Sequence, residues 1–194
     1  MLWPVLIAVV ADGFLQPSPP VILRSAESGD VPLYRTASVL IAESILSPEG
    51  PSDLAILAAA LQRDLEQRFT RRNRNENELI FAQGEDGTLA GCIGIDVQRL
   101  SQIAQTEQQL GRSSPELDDR ALLSSLAVSQ SYRRRGIGQK LCKRAEDAAR
   151  SWGCTEVLLK VESTNSKARS LCKCLAYENQ RSNSRPLGGK HVCA

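Results

Sequence analysis

The stretch Leu122-Leu123-Ser124-Ser125-Leu126-Ala127-Val128, followed closely by Tyr132-Arg133-Arg134-Arg135-Gly136-Ile137-Gly138-Gln139, decides how this 194-residue chain is read. Its first part is short and apolar and ends in β-branched Val128, which predicts a buried strand. Gly136 and Gly138 leave the backbone bare where it must curl tightly into a helix. The opening turn of that helix presents unsatisfied N–H groups and the positive end of its dipole. Phosphate oxygens fit such an end. Arg133, Arg134 and Arg135 add charge and bidentate hydrogen bonds, which suit a diphosphate better than a carboxylate or a neutral ligand. The helix that follows is amphipathic. Leu141, Cys142, Ala145, Ala148, Ala149 and Trp152 fall on one face, Lys143, Arg144, Glu146, Asp147 and Arg150 on the other, and Gly153 is placed to end it.

Other phosphate modules do not match. A Walker loop needs a Gly-Lys-Ser/Thr ending that Gly138-Gln139-Lys140-Leu141 lacks, and a Rossmann fingerprint needs a third glycine where Leu141 stands. Taken alone, the arginines read as a solvated basic turn or a weak nucleic-acid patch. The context changes that reading. Beyond a second strand, Glu156 to Val161, comes Asn165-Ser166-Lys167-Ala168-Arg169-Ser170-Leu171-Cys172-Lys173-Cys174-Leu175-Ala176-Tyr177.

Arg133, Gly136 and Gly138 resemble motif A of the GNAT superfamily of acyl-CoA N-acyltransferases, whose signature is Arg or Gln, two residues, Gly, one residue, then Gly or Ala. Asn165 to Tyr177 is similar to the second signature of that family: Asn, two residues, Ala, two residues, Leu-Tyr, three residues, Gly, then Phe or Tyr. The resemblance runs from Leu79 to Tyr177 and, more loosely, from Val21. It implies an α/β (α+β) fold, a mixed, mostly antiparallel, twisted sheet with helices on both faces. It also implies transfer of an acetyl group from acetyl-CoA, as co-substrate, to a primary amine. The backbone of Leu126, Ala127 and Val128 would hold the acetyl carbonyl and pantetheine. Arg133, Arg134, Arg135, Gly136, Ile137, Gly138 and Gln139 would hold the pyrophosphate, with Asn165 also counted among the cofactor-binding positions.

The residues that handle protons depart from the family pattern. Many members carry Tyr after the Leu of the second signature as general acid, where this chain has Cys172. Some use a Glu five residues before the signature Asn, where this chain has Lys160. Others place an acid on the strand before the arginine turn, where Ser124 and Ser125 stand. Cys172 and Ser125 are the catalytic candidates that remain. A thiol near pKa 8.5 matches the departing thiol, although Ala168, Leu171, Cys172 and Leu175 also form one apolar helical face. Ser125, Asp96 or Glu162 could anchor a water chain that deprotonates the amine. The rivals to an active enzyme of this kind are an acyl-CoA-binding sensor without turnover, favoured by Lys160 and Cys172, and a small-molecule amine acetyltransferase. Polyamine or aminoglycoside substrates call for an acidic pocket, and the only acidic cluster is Glu116, Asp118 and Asp119.

Composition agrees with one globular domain: 42% of residues are hydrophobic and the net charge is +2, which gives no bulk attraction to nucleic acid or membrane. The six cysteines form no Cys-x-x-Cys pair and His191 is the single histidine, so no metal site is expected and reduced thiols are preferred to a disulfide framework. The expected partners are acetyl-CoA and an amine, preferably of a protein or peptide, with the enzyme a monomer or homodimer.

Residues 1–20 are set apart from a domain over 21–194. Leu2 to Ala11 is an apolar run too short to span a bilayer, and it precedes Asp12-Gly13-Phe14 and a proline-rich stretch. It reads either as a targeting segment or as an extra strand or tail. Val9 and Ala11 meet a small-residue cleavage rule, and Phe14 resembles bipartite plastid presequences, so a plastid location is one expectation and the cytoplasm the other. The hydrophobic second helix and the strand Gly91-Cys92-Ile93-Gly94-Ile95-Asp96 are similar to plastid-type members, which acetylate protein N-termini and lysines.

From Val21 the pattern predicts a strand (Val21 to Arg24), a helix (Asp30 to Leu46) and a second helix capped by Ser52. That second helix carries Leu54, Leu57, Ala58, Leu61, Leu65 and Phe69 on one face. Arg71 to Glu78 is a solvated connector. Leu79 to Gln83 and Leu89 to Val97 form a hairpin around Gly84-Glu85-Asp86-Gly87, and Gln98 to Arg120 is a long insertion. Two short closing strands are expected near Tyr177 to Arg181 and Lys190 to Ala194.

Overall fold

The computed structural model of the protein describes residues 20–46, 50–70, 76–98, 120–159, 161, 165–179 and 192–193. Strand β1 (Val21–Ser25) pairs antiparallel with β2 (Asn77–Gly84), which forms a hairpin with β3 (Leu89–Gln98). The turn between them is closed by Gly87 at φ +80° and by the Asp86 carboxylate, which accepts from the Thr88 N–H at 3.0 Å and its hydroxyl at 2.6 Å. Strand β4 (Arg120–Val128) runs antiparallel to β3. Beyond it the pairing turns parallel through β5 (Glu156–Leu159) and the two-residue strands β6 (Glu178–Asn179) and β7 (Val192–Cys193), in the order β1-β2-β3-β4-β5-β7-β6. The mixed sheet expected from sequence is present, and both closing strands fall within the expected segments.

Alternating strand residues feed two cores. Ile80, Ala82, Ile93, Ile95, Ala121 and Leu123 face helices α3 (Ile137–Ser151) and α4 (Ser166–Cys174), where Ile137, Leu141, Cys142, Ala145 and Ala149 are buried. Leu79, Phe81, Cys92 and Ala127 face α1 (Val31–Ile41) and α2 (Pro51–Phe69), which contribute Tyr34, Ala37, Leu65 and Phe69. Each fully buried Leu or Ile contributes roughly 1.5–3 kcal/mol. Helix α3 ends as Gly153 implies. At φ +83° that residue lets Cys154 N–H reach the Ala149 carbonyl and its own N–H reach Arg150, a Schellman closure.

Some expectations are corrected. Ser52 does not cap α2: the helix starts at Pro51, two residues before the Asp53 that a Ser52 cap implies; the fixed φ of proline suits the first helical position, and extended Gly50 is the N-cap. The first helix does not run unbroken to Leu46, because α1 gives way at Ala42–Leu46 to a π-helical turn. Glu78 belongs to β2 rather than to a solvated connector, and Arg144 and Glu146 are not simply solvated. Arg144 Nη2 donates to Glu78 Oε1 at 2.9 Å, and the Tyr177 hydroxyl donates to Glu146 Oε1 at 2.6 Å, tying the segment after α4 to α3. Arg71 to Asn75, the insertion at 99–119, Lys160 and Glu162 lie outside the described residues, as do 1–19.

Tyr34 is fully buried and stands edge-on to Phe81, with ring centroids 5.8 Å apart. Its hydroxyl has no hydrogen-bond partner among the described residues, and burial pushes its pKa up to about 12. Removing that orphaned group removes a desolvation cost of about 1–3 kcal/mol while keeping the ring. Tyr34→Phe is therefore expected to raise the thermal midpoint, as calorimetry would read.

Candidate active site

The site is set by an irregularity in β4. Pairing with β3 is regular up to Gly94 opposite Ser124 and resumes with Cys92 opposite Ala127, so β4 carries an extra residue between them. Ser125 takes φ +55°, a conformation that costs a non-glycine residue about 1–2 kcal/mol, and its carbonyl accepts from the Cys92 thiol at 3.6 Å. The extra residue exchanges the faces of β4: Ser124 lies toward α2 before it, whereas Ala127 takes that face after it. Pairing with β5 covers only Arg120 to Leu123. From Ser124 to Val128 the β5-side edge of β4 has no described partner strand. The Ala127 carbonyl faces Gly91 of β3 and the Val128 carbonyl accepts from Arg133, so Leu126 and the Val128 N–H are what this edge leaves for an extended, amide-bearing ligand.

The chain then passes directly into the arginine turn. Gly136, at φ +76° and ψ 4°, is the N-cap of α3, and Lys140 N–H bonds back to its carbonyl at 3.0 Å. The N–H groups of Arg134, Arg135, Gly136, Ile137, Gly138 and Gln139 find no acceptor among the described residues. With Arg134 at φ +62° the backbone curls twice into the left-handed region, concentrating N–H groups at a helix start that carries partial positive charge. Gly138 is bare where α3 comes close to its neighbours: a Cβ there would lie 3.3 Å from Leu171 and 3.9 Å from Val128.

The three arginines are not equivalent. Arg133 Nε donates to the Val128 carbonyl at 3.0 Å and its Nη2 to Ser44 Oγ at 3.3 Å, so this side chain fastens the turn to the end of β4 and to the π-helical turn. Arg135 lies over the Tyr132 ring at 5.8 Å. Arg134 is exposed and is paired with none of the described residues. Asn165 caps α4, its side-chain oxygen accepting from Ala168 N–H at 3.0 Å, which is a sufficient structural reason for an Asn there.

Cys172 lies in the core, 3% exposed, in the cluster that holds Cys142, Leu141 and Tyr177, whereas Cys174 two residues on is exposed. Packing is the role this placement supports for Cys172. Cys172→Ala is expected to lower stability by about 1 kcal/mol and to leave kcat within about twofold. A fall in kcat at unchanged acetyl-CoA affinity would instead make the thiol an acid in the reaction.

Sequence reasoning passed over two features. A cavity of about 370 Å³ lies between α1 with its π-helical turn, the start of β3 and the residue after β4, with Arg35, Thr36, Glu43 and Ser129 as its polar lining and Val39, Leu40 and Leu89 as its apolar lining. On the α2 side of the sheet, Arg68 reaches across to Asp96 and Ser124. Neither has a local signal, because each joins residues far apart in the chain.

A bulged strand open along one edge, a nest of N–H groups and a glycine-opened helix together form the arrangement of an acyltransferase. The chain belongs to the acetyltransferase (GNAT) family, whose model matches residues 44–177. It is a GNAT acetyltransferase, and the family generally uses acetyl-CoA as co-substrate. Solved structures share the fold. A GCN5-related N-acetyltransferase from Ralstonia eutropha JMP134 is 21% identical with a TM-score of 0.60, over 87% of this chain and 99% of its own. A transcriptional regulator from Bacillus halodurans C-125 is 18% identical with a TM-score of 0.64, over 87% and 99%. Glucosamine-6-phosphate N-acetyltransferase from Arabidopsis thaliana is 14% identical with a TM-score of 0.54, over 88% and 97%. No curated protein matches the sequence.

Proposed function

We propose that the protein transfers acetyl from acetyl-CoA to a primary amine of a protein or peptide, an N-terminal α-amine or a lysine. The observation that carries the acetyl-CoA part is the continuity of the open edge of β4 with the unpaired N–H groups of residues 134–139. That arrangement fits a ligand with an amide-bearing arm at one end and a pyrophosphate at the other. Arg134 is the arginine best placed to add charge there, since Arg133 is committed to Val128 and Ser44. The peptide part rests on the cavity under α1, which offers one guanidinium, one carboxylate and an apolar wall rather than the strongly acidic lining a polycation requires.

The test is acetyl transfer from acetyl-CoA to a mixed panel of peptides with free N-termini or internal lysines, read by mass spectrometry. Acetylated peptide supports the reading and separates α- from ε-amines. Tight acetyl-CoA binding without product on any peptide would favour a sensor, and acetylation of a small amine alone would move the substrate class. For residues 1–20 we keep the plastid-targeting reading, on the apolar run and the Ala11-x-x-Phe14 spacing. A native N-terminus at Met1, rather than beyond Ala11, would count against it.

A further inference from the structure

Gly94 opens a notch on the α2 face of β3: a Cβ there would stand 2.8 Å from Phe69 Cζ and 2.9 Å from Ser124 Oγ. Phe69 fills the notch, and the Arg68 guanidinium lies over its ring at 4.9 Å. A single nitrogen of Arg68, Nη2, donates both to Asp96 Oδ2 and, at 3.1 Å, to Ser124 Oγ, while Nη1 donates to Asp64 at 3.1 Å. Asn77, opposite Asp96 on β2, holds the Arg68 carbonyl at 2.9 Å through its side-chain amide. Arg68 thus fixes a carboxylate and a hydroxyl side by side.

Their place matters more than their bonds. Ser124 is the last regularly paired residue before the bulge, and Asp96 lies two residues along β3 from its partner Gly94, about 7 Å away. Asp96 pairs with Leu122, so an amine attacking a thioester held near Leu126 reaches the carboxylate only through a relay, and the Ser124 hydroxyl stands between the two. We propose that Asp96 is that acceptor: it takes the proton of the acceptor ammonium by way of the Ser124 hydroxyl and a bridging water, and Arg68 is the residue that positions both. The proposal rests on the N-acetyltransferase reading above.

The proton balance closes without a separate acid. One ammonium proton passes to Asp96 and on to solvent. The nitrogen lone pair forms the C–N bond as the thioester C–S bond breaks, and the departing thiolate takes the second proton from nitrogen, leaving an amide and the CoA thiol. Among the described residues the charges facing Asp96 are Arg68 and Asp64 of α2; Asn77 of β2 and Leu122 and Ser124 of β4 add none. With two carboxylates to one guanidinium the cluster is net negative, which favours an arriving ammonium. Burial pushes the Asp96 carboxyl above its ordinary value, with Arg68 pulling the other way. A carboxyl raised in this way is a better base once ionised.

The test is the pH profile of kcat on a peptide acetylated in the panel, for the wild type, Asp96→Asn, Ser124→Ala and Arg68→Gln, with protection by CoA against thermal unfolding measured on each. Asp96→Asn is expected to keep CoA protection, to lose about 100-fold in kcat and to lose the acidic limb of the profile. Ser124→Ala should lose about tenfold. Arg68→Gln should move the acidic limb to higher pH, since the carboxylate loses its cation. An Asp96→Asn enzyme within about twofold of wild type, with its acidic limb unchanged, overturns the proposal, and so does one that no longer binds CoA. A wild type that binds CoA but acetylates no amine overturns the N-acetyltransferase reading as well.

Discussion

Gly136→Glu should leave a folded protein that CoA no longer protects against heat. Two effects coincide at this position. At φ +76° any L side chain is strained by about 1–2 kcal/mol, which the domain can absorb. The glutamate also brings a carboxylate to the N-cap, where the N–H groups of residues 134–139 await an anion, and it would compete there with the pyrophosphate. In the wild type a ligand at about 100 times its Kd adds about 2.7 kcal/mol, a rise of roughly 5–10 °C for a chain of this size. The variant should show none of that rise, by differential scanning fluorimetry with and without CoA. Gly136→Ala separates the causes, because it carries the strain without the carboxylate and should retain most of the shift. Full protection of Gly136→Glu would remove the arginine turn from the CoA site.

The largest loss of stability is expected at Gly91. An added Cβ would lie 2.8 Å from the Ala127 carbonyl oxygen and 3.1 Å from Leu141 Cδ1. The leucine tip can move, but the carbonyl cannot, since Ala127 sits just past the bulge, in the ladder where Gly91 pairs with Val128. Gly91→Ala should therefore cost about 3 kcal/mol, the upper end of ordinary overpacking, and lower the midpoint by roughly 6–12 °C. Gly29→Ala is the control: a Cβ there meets nothing within 4 Å, and its change should stay within about 0.5 kcal/mol. Equal midpoints for the two variants would show that β3 and β4 are not held this closely at the bulge.

What the sequence disclosed was local. A glycine N-cap, a buried apolar strand and a hairpin turn are each written in adjacent residues, and they stand where the pattern put them. Pro51 shows how a local rule misleads, because Ser52 has the better capping side chain but the proline fixes the start two residues sooner. Ser125 shows a harder limit. Serine has no preference for φ +55°, so the bulge is imposed by Gly91 and Gly94 on the neighbouring strand and by pairing on both sides of it. The bonds from Arg68 to Asp96 and Ser124 span 28 and 56 positions, and no periodicity reaches that far. The charge of Arg133 and its place in the motif A pattern are local signals; its bonds to Val128 and Ser44 depend on where α1 ends, which composition does not specify.

The extra residue in β4 also constrains how this enzyme can change over evolutionary time. It works on the strand as a frameshift works on a message: upstream and downstream of Ser125 the inside and outside of the sheet are read in opposite phase. Deleting the extra residue would set Leu126 opposite Ile93 in one regular ladder and leave Ala127 facing the α1 and α2 core, so the fold would survive while the kink that shapes the site is lost. A one-residue deletion elsewhere in the strand would instead turn the residues between it and the bulge to the wrong face. A lineage descended from this chain can therefore lose its site in a single step without losing its fold.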